Sequence, residues 1–73
     1  MKRLTLKEAR DLRGLTQTKL AELTDMQQSD LSALENGRNK QPRIATMKKI
    51  AQALDMDAFL SVAGLVFEER SEP

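Results

Sequence analysis

The chain has 73 residues, which is enough for one small domain with a single modest core. It contains no cysteine and no histidine, which excludes disulfides and thiolate chemistry and argues against the usual zinc sites and catalytic triads, so we expect no metal, no cofactor and no enzyme activity. The net charge is only +1, and on its own it identifies no partner.

The first three predicted helices come from capping signals and apolar spacing. The first begins near Thr5, which with Glu8 fits a capping box, and ends at Gly14. The second runs from about 17 to 24 and the third from about 27 to 36. The inner side of the first helix is formed by Leu6, Ala9 and Leu12.

Two further helices are predicted, so the expected fold class is all-α, a compact bundle of five helices. Strand signals are poor because β-branched and aromatic residues never alternate over a useful length. The fourth helix, about 44–54, turns one apolar face inward, made of Ile44, Met47, Ile50, Ala51 and Leu54. Asp57 caps a short fifth helix, 57–63. We expect residues 1–67 to form the domain and residues 68–73 a flexible acidic tail.

The second and third helices have the spacing of a helix-turn-helix. Only Asp25 and Met26 separate them, so the chain must turn sharply there. Close crossing requires a small residue in the second helix, and Ala21 occupies that position. Asp25 lies where glycine is preferred, because a left-handed backbone is required and aspartate adopts it more readily than most residues. The four positions that should bury the crossing are all apolar: Leu20, Met26, Leu31 and Leu34.

The outward face of the third helix carries short side chains without charge: Gln28, Ser29, Ser32 and Ala33. Glutamine can offer a donor and an acceptor to adenine, serine can pair with several base edges, and alanine can contact the thymine methyl. A helix that is merely solvated more often carries lysine and glutamate. The alternative is a polar surface that happens to be rich in glutamine, but the pattern favours a helix that reads the major groove.

Charge is distributed in alternating blocks. Residues 1–19 carry +4, residues 20–35 carry −4, residues 36–54 carry +5 and residues 55–73 carry −4. Two basic blocks on either side of a polar helix could form a positive face against a polyanion. They are equally compatible with ordinary solvated helix faces.

Several of these segments together resemble the phage repressor and Cro class of helix-turn-helix proteins, also called the XRE family. The resemblance covers roughly residues 5–64, and it implies a five-helix bundle that binds double-stranded DNA. The segments that carry it are GLTQ at 14–17, LAEL at 20–23, QQSDLSALENG at 27–37 and KQPR at 40–43.

The resemblance also implies roles for individual residues. Gln28 would make a bidentate contact to adenine, and Gln17 would bind a phosphate while steadying Gln28. Arg10 and Glu35 match an ion pair between the first and third helices. The further base-reading residues would be Gln27, Ser29, Ser32 and Ala33, and the further phosphate ligands Asn36, Arg38, Lys40 and Arg43.

The expected function is transcriptional regulation, most simply repression by a homodimer on a palindromic operator. The sequence shows neither a secretion signal nor a membrane span, so we expect a cytoplasmic protein that does not enter a membrane. The candidate dimer surface is the apolar C-terminal segment, although several of its residues would also close the monomer core: Phe59, Leu60, Val62, Leu65, Val66 and Phe67.

An alternative function is that of an antitoxin, which binds a protein toxin and regulates its own promoter. Two features bear on this alternative. Leu23 stands where the family usually has a polar residue, so it is either an exposed leucine or part of a protein contact. The acidic segment 68–73 could be a docking segment for a basic partner.

Overall fold

Four helices and a three-stranded antiparallel sheet make up residues 3–62 and 64–70, the part of the chain that the computed structural model describes. The sheet has the strand order β1-β3-β2. The helices are α1 (Leu6–Leu12), α2 (Gln17–Leu23), α3 (Gln28–Glu35) and α4 (Ile44–Leu54), and the strands are β1 (Leu4–Thr5), β2 (Met56–Ser61) and β3 (Gly64–Glu69).

The prediction of an all-α bundle with five helices is wrong. The segment expected to form the fifth helix is β2 and the turn after it, apart from residue 63, which lies outside the described residues. β2 pairs with β3 so that Phe59 is opposite Val66. On its other side β3 pairs with β1, which places Leu4 opposite Phe67. The strands form because these pairings, one of them with a residue near the start of the chain, bury Phe67 completely.

The acidic segment predicted as a flexible tail begins inside this sheet. Glu68 and Glu69 belong to β3, and Glu68 accepts a hydrogen bond from Arg3 Nε at 3.0 Å. Arg70 follows the strand and donates to Asp57 Oδ1 at 3.3 Å. The rest of the predicted tail, residues 71–73, lies outside the described residues.

The helix starts follow the predicted capping. Thr5 Oγ1 accepts from the Glu8 backbone N–H at 3.2 Å, and the Glu8 carboxylate accepts from the Thr5 N–H at 2.9 Å, so the capping box is confirmed. Thr16 caps α2 by accepting from the Lys19 N–H at 3.0 Å. Each cap satisfies backbone donors that the first helical turn leaves without a partner.

The hydrophobic core lies between the helices and the inner face of the sheet. All four helices contribute buried residues, and the hairpin closes the core with Met56 and Phe67, both fully buried. The helical members of the core are Leu6, Ala9, Leu20, Ala21, Leu31, Ile50 and Leu54. The hairpin therefore shares one hydrophobic core with the helices.

Two aliphatic residues that the sequence predicts to face inward, Ile44 and Leu12, are exposed instead. Ile44, the first residue of α4, is 71% exposed, and Leu12, the last residue of α1, is 53% exposed. Both lie at a helix end, where the helix has passed the edge of the core. The helical period gives the direction of a side chain but not whether neighbouring elements reach far enough to cover it.

Candidate nucleic-acid interface

The turn between α2 and α3 has the geometry that the sequence predicts for a helix-turn-helix. Asp25 has a φ of 54°, so it adopts the left-handed conformation expected at that position. The Met26 N–H then donates to the Ala21 carbonyl at 2.9 Å. Thr24 is buried and its hydroxyl donates to the Leu20 carbonyl at 2.8 Å, which satisfies the polar group inside the crossing.

One side of α3 is anchored and the other is open. Leu31 is fully buried between the helices. Of the predicted base-reading residues, Gln27, Gln28 and Ser29 are exposed, while Ser32 and Ala33 are half-buried. The N-cap and first turn of α3 therefore present these three uncharged polar side chains together with the exposed carboxylate of Asp30, and the second turn sits closer to the body of the domain.

A chain of side-chain hydrogen bonds links α1, α2 and α3. Arg10 donates from Nε to Glu35 Oε2 at 2.8 Å and from Nη2 to Glu35 Oε1 at 3.2 Å. Gln17 Nε2 donates to Glu35 Oε1 at 3.1 Å. Gln28 Nε2 in turn donates to Gln17 Oε1 at 3.4 Å. The expected ion pair between Arg10 and Glu35 is thus present. Gln17 connects it to Gln28, the residue predicted to contact adenine.

The ion pair at the start of this chain is buried and well satisfied. The side chains of Arg10 and Glu35 are 10% and 4% exposed. Arg10 Nη1 also donates to the Leu15 carbonyl at 2.8 Å. Hydrogen bonding to Glu35 raises the pKa of the Arg10 guanidinium above its usual value, although burial acts in the opposite direction. Since both oxygens of Glu35 accept hydrogen bonds within the domain, this carboxylate has a structural role.

The loop after α3 is held by backbone hydrogen bonds. Gly37 has a φ of 77°, which turns the chain away from the helix axis. The backbone N–H groups of Arg38 and Asn39 both donate to the Ala33 carbonyl, at 2.9 Å and 3.1 Å. This ties the loop to α3, so the positions of its side chains depend on the position of the helix.

The predicted phosphate ligands on this loop are exposed. Among the described residues, the side chains of Arg38, Lys40 and Arg43 form no ion pair and no hydrogen bond. Asn36 Nδ2 donates to Ser32 Oγ at 3.2 Å, which connects the loop to the outer face of α3. Three cations without a protein counterion beside a polar helix are suited to a polyanionic backbone.

A groove of about 670 Å³ runs between α3, the loop and α4. It brings together Gln27 and Ala33, which the sequence predicts to read bases, and Arg43, which it predicts to bind a phosphate. It is also lined by Thr46 and Lys49, which the sequence did not predict as site residues, and by the acidic side chains of Asp25 and Asp30. The available signal was their spacing, since Thr46 and Lys49 lie three apart on neighbouring positions of α4 and follow Arg43, the N-cap of that helix, at the same interval.

The predicted dimer residues separate into two groups. Phe67 is fully buried, so it belongs to the monomer core and cannot contribute to a subunit interface without unfolding. Leu65 and Val66 are half-buried. Exposed apolar surface is left at Phe59, Leu60 and Val62, on β2 and at the hairpin turn, where they are 41%, 50% and 109% exposed.

Two further findings concern residues 3–62 and 64–70. No group of three or more aspartate or glutamate side chains in this part of the chain could hold a metal ion. No helix in it is both long and apolar enough to cross a membrane.

Comparison with known proteins agrees with the local geometry. The family model described as helix-turn-helix matches residues 6–59, from the start of α1 into β2, which is well over half of the chain. A search of curated proteins finds no match. The chain therefore belongs to the XRE-type helix-turn-helix family of Cro-like and repressor-like proteins and is a DNA-binding regulator of that kind.

Proposed function

We propose that this regulator is a transcriptional repressor that binds a palindromic operator as a homodimer, with α3 in the major groove. The observation that supports this best is the division of α3 into two sides. Gln28 and Ser29 are exposed on one side, while Leu31 on the other is fully buried. Such a helix can insert into a groove without losing its place in the domain.

Affinity and sequence discrimination come from different residues in this proposal. Lys and Arg side chains neutralise phosphates and release counterions, so binding to any DNA weakens as salt rises. The side chains of α3 supply discrimination between base pairs. The phosphate ligands we propose are Gln17, Asn36, Arg38, Lys40 and Arg43, and the base-reading residues are Gln27, Gln28, Ser29, Ser32 and Ala33.

A homodimer is proposed because one recognition helix reads only a few base pairs. A two-fold axis would place two copies of α3 in successive major grooves about 34 Å apart. The exposed apolar residues Phe59, Leu60 and Val62 supply the surface we propose for self-association. A bound dimer on a promoter would block polymerase, and no catalytic step is needed.

The proposal is tested by selecting bound sequences from a random pool of double-stranded DNA at several salt concentrations. We expect a palindromic consensus with two half-sites about one helical turn apart. Gln28→Ala should then weaken binding to the selected site by about 1–3 kcal/mol and change binding to random DNA little.

The matched control for this substitution is Gln52→Ala. Gln52 is an exposed glutamine of α4 that lines the groove between α4 and β2, away from α3. Gln52→Ala should leave the affinity for the selected site and the affinity for random DNA unchanged. If Gln28→Ala lowered specific and random affinity equally, Gln28 would not read a base, and if no consensus emerged, the proposed operator binding would be wrong.

A second candidate function is that of an antitoxin, and one observation favours it. Leu23, at the end of α2, is 53% exposed where the family usually has a polar residue. An exposed leucine on the same helix as a DNA contact could bind a protein partner. Copurification of a basic protein that is lost in Leu23→Lys, with operator binding retained, would support this function; a homodimer without a partner would oppose it.

A further inference from the structure

We propose that Asp30 reads a cytosine in the operator and weakens binding to DNA that lacks one at the facing position. This inference rests on the proposed function and deepens it by adding a charged residue to the base-reading set. Asp30 lies in the first turn of α3 and is exposed. The other acid of this helix, Glu35, is buried against Arg10, so Asp30 carries the exposed charge of α3.

Asp30 lies between two residues that read bases in the proposed function. Gln27, which is the N-cap of α3, Asp30 and Ala33 follow one another at intervals of three. All three line the groove between α3, the loop and α4. A docking that brings both Gln27 and Ala33 to base edges therefore brings the carboxylate of Asp30 to the edges between them.

The carboxylate of Asp30 is not neutralised by the domain itself. Within residues 3–62 and 64–70 it forms neither an ion pair nor a hydrogen bond. Arg43 and Lys49 line the same groove, but neither of them pairs with Asp30. Asp30 therefore meets DNA as a negative charge that needs a donor.

Cytosine is the base whose major-groove edge suits a carboxylate. An ionised carboxylate accepts hydrogen bonds and cannot donate them. Cytosine presents the N4 amino group, whereas guanine presents acceptors at N7 and O6, and thymine presents an acceptor at O4 beside its methyl group. Adenine places the acceptor N7 next to its N6 amino group, so a carboxylate that approaches N6 is repelled by N7.

The same charge makes other sequences costly to bind. Opposite an edge that offers acceptors, the carboxylate would lose water and gain no partner. It is also repelled by phosphates on any DNA. A cytosine at the facing position offsets these costs. Asp30 therefore adds specificity by penalising the wrong DNA, which the uncharged side chains of Gln28 and Ser29 do less strongly.

A purely structural role for Asp30 makes a different prediction. An acid in the first turn of a helix interacts favourably with the helix dipole. That interaction has weight in α3, because the N-cap Gln27 makes no capping hydrogen bond through its side chain. The dipole changes the stability of the domain, whereas base reading changes the preference among DNA sequences, so the two roles can be measured separately.

Parallel selections from one random pool of double-stranded DNA test the inference, with the wild type, Asp30→Asn and Glu69→Gln. Asp30→Asn keeps the size of the side chain, but its amide can donate as well as accept and so tolerates acceptor edges. Glu69→Gln is the matched control, because it removes the same charge from an exposed position in β3. We expect the wild type and Glu69→Gln to select cytosine at one position of each half-site, and Asp30→Asn to lose that preference.

The size of the effect comes from affinities for the selected operator and for operators with another base pair at that position. We expect the preference of the wild type for cytosine to be about 5- to 150-fold and to fall to about threefold or less in Asp30→Asn. Affinity for random DNA should rise more in Asp30→Asn than in Glu69→Gln, because salt screens a distant charge.

A preference for cytosine that survives in Asp30→Asn would overturn the inference. An equal rise in affinity for all DNA would also overturn it, since Asp30 would then only repel phosphates. A lower melting temperature of Asp30→Asn with an unchanged preference would show the dipole role and contradict base reading. Because each preference compares two DNAs with the same protein, an unfolded fraction cancels. A wild type that selects no sequence at all would instead contradict the proposed function.

Discussion

The helical part of the domain, residues 6–54, and the hairpin, residues 56–69, are specified in different ways. Each helix begins or ends at a signal within a few residues of itself, such as the Thr5 capping box or the left-handed Gly37. The hairpin strand β3 depends on β1 at the other end of the chain, where Leu4 pairs with Phe67. Local patterns therefore predict the helices well and the sheet poorly.

The two regions also use ion pairs differently. Arg10 and Glu35 are almost fully buried between helices, with side chains 10% and 4% exposed. Arg3 and Glu68 pair across the sheet with side chains 62% and 20% exposed. A buried pair must be complete because an isolated charge would be costly, whereas an exposed pair competes with water and salt. The buried pair can therefore hold other side chains, as Glu35 holds Gln17, whereas the exposed pair contributes little to the stability of the domain.

The sharpest test of this comparison asks whether the hairpin belongs to the same cooperative unit as the helices. Phe67→Ala removes a fully buried aromatic side chain and should lower the free energy of unfolding by about 3–5 kcal/mol. Urea denaturation followed by the helical circular dichroism signal measures this. The control is Val66→Ala, a half-buried neighbour in the same strand, which should cost less. A helical signal unaffected by Phe67→Ala would mean that the hairpin is an appendage.

A similarly large effect is expected at the buried ion pair. Arg10→Met leaves the Glu35 carboxylate buried without its cation and should cost about 3–5 kcal/mol in the same measurement. The double variant Arg10→Met/Glu35→Leu should recover most of this loss, because neither charge then remains. If the double variant were as unstable as the single one, packing rather than the uncompensated charge would explain the cost.

A smaller effect is expected at the start of α1. Thr5→Ala removes the capping hydroxyl that accepts from the Glu8 N–H and should lower the free energy of unfolding by about 1 kcal/mol. Thr18→Ala is the control, since Thr18 is an exposed threonine inside α2 that caps no helix. Equal losses in the two variants would show that the cap contributes nothing at this site.

The smallest effect is expected at the exposed pair of the sheet. Arg3→Ala removes the partner of Glu68 and should cost at most about 1 kcal/mol at low salt. The difference from wild type should shrink further as salt is added, because exposed charges are screened. A loss that is as large as that of Arg10→Met and insensitive to salt would contradict the distinction between the two regions.

Much of the candidate site could be predicted from sequence because its signals are close together in the chain. The turn at Asp25, the anchor at Leu31 and the open face at Gln28 all follow from spacing within one short segment. The pairing of Arg10 with Glu35 came from the family resemblance. Thr46 and Lys49 were missed because their proximity to α3 depends on how α4 packs.

The sequence by itself determined the four helices that form, the caps of the first two and the helix-turn-helix, because hydrogen bonds in a helix join residues four apart and apolar spacing shows which side is buried. Only the tertiary structure decided that 56–69 is a hairpin, that Ile44 is exposed and that Gln17 connects Glu35 to Gln28. These features join residues distant in the chain. Whether such groups meet depends on the packing of whole elements, which no local pattern records.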